Sequence, residues 1–302
     1  MEPISARYRD TILRLVKHAR NEMEITPDNV IQDGNRDLLP FIDSIIEDNL
    51  APDSEIRAFA NLEHLSLLAK GGKSCLLLLE HYSNFDLPVL SYLLRKRGEL
   101  GARIADDIVA IAGIKLSETD PVVTAFTEAY SRLVIYPSRY LEIIQRNITD
   151  PKELVSEVMK ANAINRAAMK ALGELRDRGK LVLVFPSGTR YRPWEPSTKR
   201  GVREIDSYLK TFDVACLVSI NGNILRVNPE GEMKEDLIAR DRVVFDVSPP
   251  LPCDELRKKA KRAKHFGDDK KQAIVDYVMA SLEAMHQDVE RQDAEHPASD
   301  LD

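Results

Sequence analysis

His81 and Asp86 stand five residues apart at the end of an apolar run, in L-L-L-L-E-H-Y-S-N-F-D over residues 76–86. An imidazole beside a carboxylate makes a general base. The acid fixes one ring nitrogen as the donor and leaves the other to take a proton. The plainer reading is that Asp86 or Asn84 caps a following helix and that His81 merely ends a strand. A second stretch, Phe185-Pro-Ser-Gly-Thr-Arg190-Tyr-Arg192-Pro193, sets two guanidinium groups around Tyr191 in a loop stiffened by two prolines. Guanidinium suits phosphate because it donates paired hydrogen bonds and keeps its charge. Salt bridges to carboxylates of the chain are the competing use. Ser187 lies outside any G-x-S-x-G, so a nucleophile elbow is excluded. GxxxxGK[ST] and GxGxxG do not occur, which removes the common nucleotide-binding loops.

Both stretches need a sheet to position them. In open α/β sheets, ligands collect beyond the carboxyl ends of the strands. Residues 71–292 alternate strand and helix signals. Strands are expected at Cys75–Glu80, Ile108–Ala112, Leu133–Tyr136, Leu181–Phe185, Val214–Ile220 and Val243–Val247. Helices are expected at Leu87–Arg95, Pro151–Arg178 and Asp254–Arg291, the last broken at Phe266-Gly267-Asp268. This implies an α/β fold with a mixed, largely parallel sheet flanked by helices. Residues 1–70 read as helices only, with apolar faces such as Leu38, Phe41, Ile42, Ile45 and Ile46, and so as an N-terminal helical bundle domain. Gly71-Gly72 marks the junction, and residues 293–302 read as a polar C-terminal tail.

The chain has 302 residues with 43 basic and 49 acidic side chains, for a net charge of −6. That balance argues against a nucleic-acid partner. The three cysteines, Cys75, Cys216 and Cys253, are far apart and form no C-x-x-C, so neither a disulfide framework nor a metal site is expected. No stretch is apolar over the ~18 residues of a membrane span. The expected location is cytoplasmic, soluble or peripheral to the membrane. Arg257-Lys-Lys-Ala-Lys-Arg-Ala-Lys264 is a basic run suited to an acidic carrier protein, coenzyme A phosphates or an anionic membrane surface, or simply to a solvated helix face.

H-x-x-x-x-D, followed about a hundred residues later by a strand and P-S-G-x-R-x-R-P, resembles the glycerolipid acyltransferase superfamily. Within it, the best match is the soluble, plastid-type glycerol-3-phosphate 1-O-acyltransferases. Membrane-bound relatives usually read F-P-E-G-T-R, where Ser187 here takes the glutamate position. Ala112-Gly113-Ile114-Lys115 looks like the family's A-G-D-R block, with Lys115 for the arginine. Ile135-Tyr-Pro-Ser-Arg139-Tyr140 looks like the segment that carries a basic Lys-His pair, with Arg139 keeping the charge and Tyr140 replacing the histidine. The resemblance implies acyl transfer from an acyl thioester to the sn-1 hydroxyl of glycerol 3-phosphate, with no cofactor. The thioester of acyl-carrier protein or coenzyme A is the co-substrate. It also implies that His81 is the base, that Asp86 orients it, and that Arg139, Arg190, Arg192 and Lys115 bind phosphate. Acylation of 1-acylglycerol 3-phosphate or dihydroxyacetone phosphate, and non-catalytic acyl-chain or phospholipid binding, are the alternatives.

Overall fold

Five consecutive apolar side chains, Cys75–Leu79, are all buried, which requires a strand covered on both faces. The alternation of a strand then divides them. Cys75, Leu77 and Leu79 join one core, while Leu76 and Leu78 join another. A computed structural model describes residues 1–20, 24–114, 120–263 and 269–295, and shows what covers each face.

The described strands are β1 (Glu2–Pro3), β2 (Ile31–Gln32), β3 (Glu55–Arg57), β4 (Cys75–Leu79), β5 (Ile108–Gly113), β6 (Arg132–Ile135), β7 (Leu181–Val184), β8 (Val214–Asn221), β9 (Leu225–Arg226), β10 (Leu237–Ile238), β11 (Val244–Val247) and β12 (Leu251–Pro252). The main sheet has the order β2-β6-β5-β7-β4-β8-β11-β3, and β12 pairs with β8. Its centre, β6-β5-β7-β4-β8, is entirely parallel. β2 and β12 add antiparallel strands, and β11 runs antiparallel to β8 but parallel to β3. β1, β10 and β9 form a separate three-stranded sheet. The chain passes from β4 to β5 and β6, then returns to insert β7 between β5 and β4. The order reverses there, so loops diverge above β4, β5 and β7 and leave a crevice.

The expected central strands and the long helices are present. Pro151–Asp177 is one helix, and the C-terminal helical segment appears as Cys253–Arg262 and Lys270–Glu295. The expected break at Phe266-Gly267-Asp268 lies outside the described residues. The helices-only reading of residues 1–70 requires correction. β2 joins β6 at one edge of the sheet, and β3 joins β11 at the other. These strands are two and three residues long, too short for alternation to register, and they form because a sheet edge offers them partners. Helices Arg9–His18, Leu39–Asn49 and Phe59–Lys70 bury Leu15, Ile42, Ile46 and Leu65 in the core that also holds Leu77 and Leu79. The long helix and the C-terminal helices cover the opposite face.

Leu77 sits at the centre of this arrangement with no exposed surface. Leu77→Ala is expected to cost about 2–5 kcal/mol of stability through lost burial and a residual cavity. The measurement is the shift in urea midpoint at unchanged m-value.

Candidate active site

β4 delivers His81. Its ladder ends as Glu80 N–H donates to Val218 O (3.1 Å), and the chain then turns away from the sheet. Asp86 opens the helix Asp86–Lys96, but its carboxylate does not cap that helix. Instead Oδ2 turns back to accept from Tyr82 N–H (2.8 Å), Ser83 N–H (2.9 Å) and His81 Nδ1 (2.9 Å). The Asp86 side chain is 2% exposed and that of His81 is 15% exposed, so the acid is shielded behind the ring it holds. An oxygen already accepting from two amides offers Nδ1 a lone pair. Nδ1 therefore carries the proton, and Nε2 is the basic nitrogen. Phe185, at the end of β7, stacks on the imidazole with ring centroids 3.9 Å apart and fixes its plane.

The two motif loops are tied directly. Tyr191 N–H donates to His81 O at 2.8 Å. A tight turn follows Phe185, closed by Gly188 N–H to Phe185 O (2.9 Å). Gly188 has φ +63°, and a Cβ there would lie 3.1 Å from Val202 Cγ1, so the turn needs glycine. The Ser187 hydroxyl donates to Thr189 O at 2.6 Å, which engages it with the backbone.

Beyond these strand ends lies a cavity of about 1040 Å³. The ends of four parallel strands reach it: His81 after β4, Gly113 in β5, Arg139 after β6, and Ser187 to Thr189 after β7. Arg139 lies in the first turn of the helix Ser138–Asn147, is exposed, and makes no ion pair among the described residues. The strand end before it is held by Asn165 of the long helix, which accepts from Tyr136 N–H (2.8 Å) and donates to Tyr136 O (3.0 Å).

The arginines of the second motif are placed differently from Arg139. Arg190 is buried in an ion pair with Asp236, just before β10, and does not line the cavity. Arg192 lies 3.6 Å from Glu195 and is also outside the lining. Both flank the residue tethered to His81, so their charge borders the site without entering it. Lys115 lies outside the described residues. Arg200 lines the cavity without an ion pair among the described residues, and motif reasoning passed over it. The only signal was its position between Lys199 and Gly201 in the same loop. Among the described residues, no three His, Cys, Asp or Glu side chains converge to hold a metal ion. The three cysteines are buried, and loss of hydration pushes each thiol up to about 12, away from reactivity.

A buried cluster backs the site. Glu80 accepts from Ile220 N–H (2.9 Å), the Tyr82 hydroxyl (3.2 Å) and His286 Nδ1 (3.2 Å). Burial opposes charge on His286, but its hydrogen bond to Glu80 and the field of that carboxylate raise its pKa. The basic helix Cys253–Arg262 is partly neutralised: Arg257 pairs with Asp206, and Lys258 with Asp254 and Glu255. Lys259, Lys261 and Arg262 remain exposed without ion pairs among the described residues. No described helix is long and apolar enough to cross a membrane.

The acyltransferase family model matches residues 56–219, a span from β3 into β8 that contains His81, Asp86, Arg139, Arg190 and Arg192. The chloroplastic glycerol-3-phosphate acyltransferase of Arabidopsis thaliana is 26% identical over 195 residues, which is 65% of this chain and 37% of that protein. The match thus spans little more than a third of that relative's length.

Proposed function

Since the chain belongs to the acyltransferase family, we propose that it moves a fatty acyl group from an acyl thioester to the sn-1 hydroxyl of glycerol 3-phosphate. The observation that carries this reading is the His81–Asp86 pair, with Oδ2 fixed by three hydrogen bonds at the rim of a large cavity. His81 Nε2 takes the proton of the acceptor hydroxyl as its oxygen bonds to the thioester carbonyl carbon. The tetrahedral species then collapses, the carbon–sulfur bond breaks, and the imidazolium returns its proton to the leaving thiolate. The Ser187 hydroxyl takes no part, being engaged with Thr189 O. Arg139 and Arg200, exposed cations of the lining that make no ion pair among the described residues, bind the acceptor phosphate and so place its hydroxyl near His81. Arg190 and Arg192, offset by Asp236 and Glu195, serve this reading through the loop they flank, which is tethered to His81, and Lys115 is a further phosphate ligand.

The test offers purified protein glycerol 3-phosphate, 1-acylglycerol 3-phosphate and dihydroxyacetone phosphate with both donor types, reading thiol release. Glycerol 3-phosphate is expected to give the highest kcat/KM. A higher value for another acceptor reassigns the substrate, and no acceptor-dependent release removes the enzymatic reading.

The exposed cations Lys259, Lys261 and Arg262 suit an acidic acyl-carrier protein as donor. Changing all three to glutamine is expected to raise the carrier-protein KM severalfold at low salt and to leave the coenzyme A thioester KM unchanged. Equal KM values for the carrier-protein thioester before and after the change exclude docking at this helix.

A further inference from the structure

One lobe of the cavity extends over the sheet face that carries the N-terminal helices. The facing rings of Phe85 and Phe126, 5.7 Å apart, belong to its wall with Ala110 and Val122. Two further residues of the lining, Tyr130 and Arg132, do not fit an apolar wall. Arg132 opens β6 opposite Ala110 and shares that residue's face of the sheet. It is only 8% exposed, yet its side chain makes no hydrogen bond or ion pair among the described residues, and its Nε is buried without a partner. The Tyr130 hydroxyl is likewise buried and unpartnered.

The described residues do not satisfy this guanidinium. Glu128 is the carboxylate whose field reaches it, but Glu128 already accepts from Arg20 N–H (3.0 Å to each oxygen) and Asn35 Nδ2 (2.8 Å). The Arg20 side chain, 3.8 Å from Glu128, opposes Arg132 with a like charge. The loss of hydration pulls the Arg132 guanidinium below its ordinary pKa, with Glu128 pulling the other way. A buried, unpaired charge is costly, and a buried hydroxyl without a partner adds to that cost. The guanidinium is completed by a ligand that brings an anionic oxygen, whereas the charges that act on the Tyr130 hydroxyl are Asp43, Arg95 and Arg36.

The position of Arg132 says where that oxygen belongs. Arg132 is level with Ala110, Leu183 and Leu77 in the sheet register. His81 lies four residues beyond Leu77 and three strands away, so the two Cα positions differ by about 13 Å along the strands and about 14 Å across them. That separation is comparable to an extended long-chain acyl group. On the acyl-transfer reading above, on which this rests, we propose that the lobe receives the far end of the acyl chain and that Arg132 selects chains ending in a carboxylate. The guanidinium pairs with the terminal carboxylate, and the apolar wall holds the methylene chain.

The test is calorimetric binding to the full chain with two probes of equal length, the monomethyl ester of a long-chain dicarboxylic acid and the methyl ester of the matching fatty acid. The carboxylate-ended probe is expected to bind about tenfold to a hundredfold tighter, as a charge-assisted pair allows. Arg132→Met is expected to abolish that difference. Equal affinities in the unaltered protein overturn the proposal and need no variant to fold. A preference that survives Arg132→Met also overturns it. Sodium acetate that brings the plain ester to the affinity of the carboxylate-ended probe makes a free anion the occupant, with the same consequence. Binding needs no turnover. A preserved preference in a protein that transfers no acyl group therefore rejects the enzymatic reading and leaves the end-group site standing.

Discussion

His81→Ala is expected to lower kcat for acyl transfer by about 10²–10⁴-fold, the usual contribution of a positioned general base. The fold should survive the change. Asp86 Oδ2 keeps two amide donors when the imidazole is gone, so no buried carboxylate is left without partners. The structural loss is the stacking on Phe185, about 0.5–1.5 kcal/mol. KM for the acceptor should change little, because the phosphate is held by Arg139 and Arg200 in the proposed complex. Steady-state kinetics with a parallel thermal melt checks all three statements. Unaltered turnover removes His81 from the chemistry. Lost turnover with a collapsed melt makes it a structural residue instead.

The second large effect concerns Arg190, where motif and geometry point to different uses. P-S-G-x-R-x-R-P assigns it to the substrate's phosphate, while in the folded chain its guanidinium meets Asp236 with side chains 9% and 1% exposed. Asp236 also accepts from Asn228 N–H through Oδ1 (3.2 Å), and its main-chain oxygen accepts from Ile4 N–H (2.9 Å). The pair thereby anchors the motif loop to the small β1-β10-β9 sheet. Arg190→Met removes one partner and leaves a buried carboxylate, at an expected cost of about 3–5 kcal/mol. Chemical denaturation of the variant reads this directly. The double variant Arg190→Met with Asp236→Leu should recover most of the loss, since an apolar pair of similar volume replaces a buried ion pair. Activity then separates the two uses. If Arg190 only anchors the loop, the stable double variant regains acceptor KM; if it also contributes to phosphate binding, KM stays high. A single variant as stable as the unaltered protein disproves the anchoring role.

The parts of this fold that were legible from sequence are those written in local pattern. Cys75–Leu79 and Leu181–Val184 are continuous apolar runs because helices cover both faces of the sheet, and runs of that length bounded by turn residues have few other uses. His81, Asp86 and the second motif were legible for a related reason: each sits where a strand stops and a polar loop begins. What stayed hidden depends on distant parts of the chain. β2 and β3 exist because β6 and β11 present unpaired edges. The partner of Arg190 lies 46 residues away, and no spacing rule reaches it. The helix Pro121–Glu128 was missed because its eight residues are too few to establish a period, although its wall with Phe85 shapes the cavity. Arg132 was invisible as well, for an arginine at the start of an apolar strand looks like an ordinary solvated terminus until its burial is known.

The last helix carries a temporal consequence. His286 reaches back to Glu80, next to the base, and its main-chain carbonyl accepts from Asn221 Nδ2 at 3.0 Å. About two turns further on, Asp293 binds Arg57 and Arg242, which lie far apart in the chain. A nascent polypeptide emerging from the ribosome therefore holds its central strands long before Glu80 acquires its imidazole partner. Until that stretch is synthesised, Glu80 has only Ile220 N–H and the Tyr82 hydroxyl to accept from, and Arg57 and Arg242 lack the carboxylate that joins them.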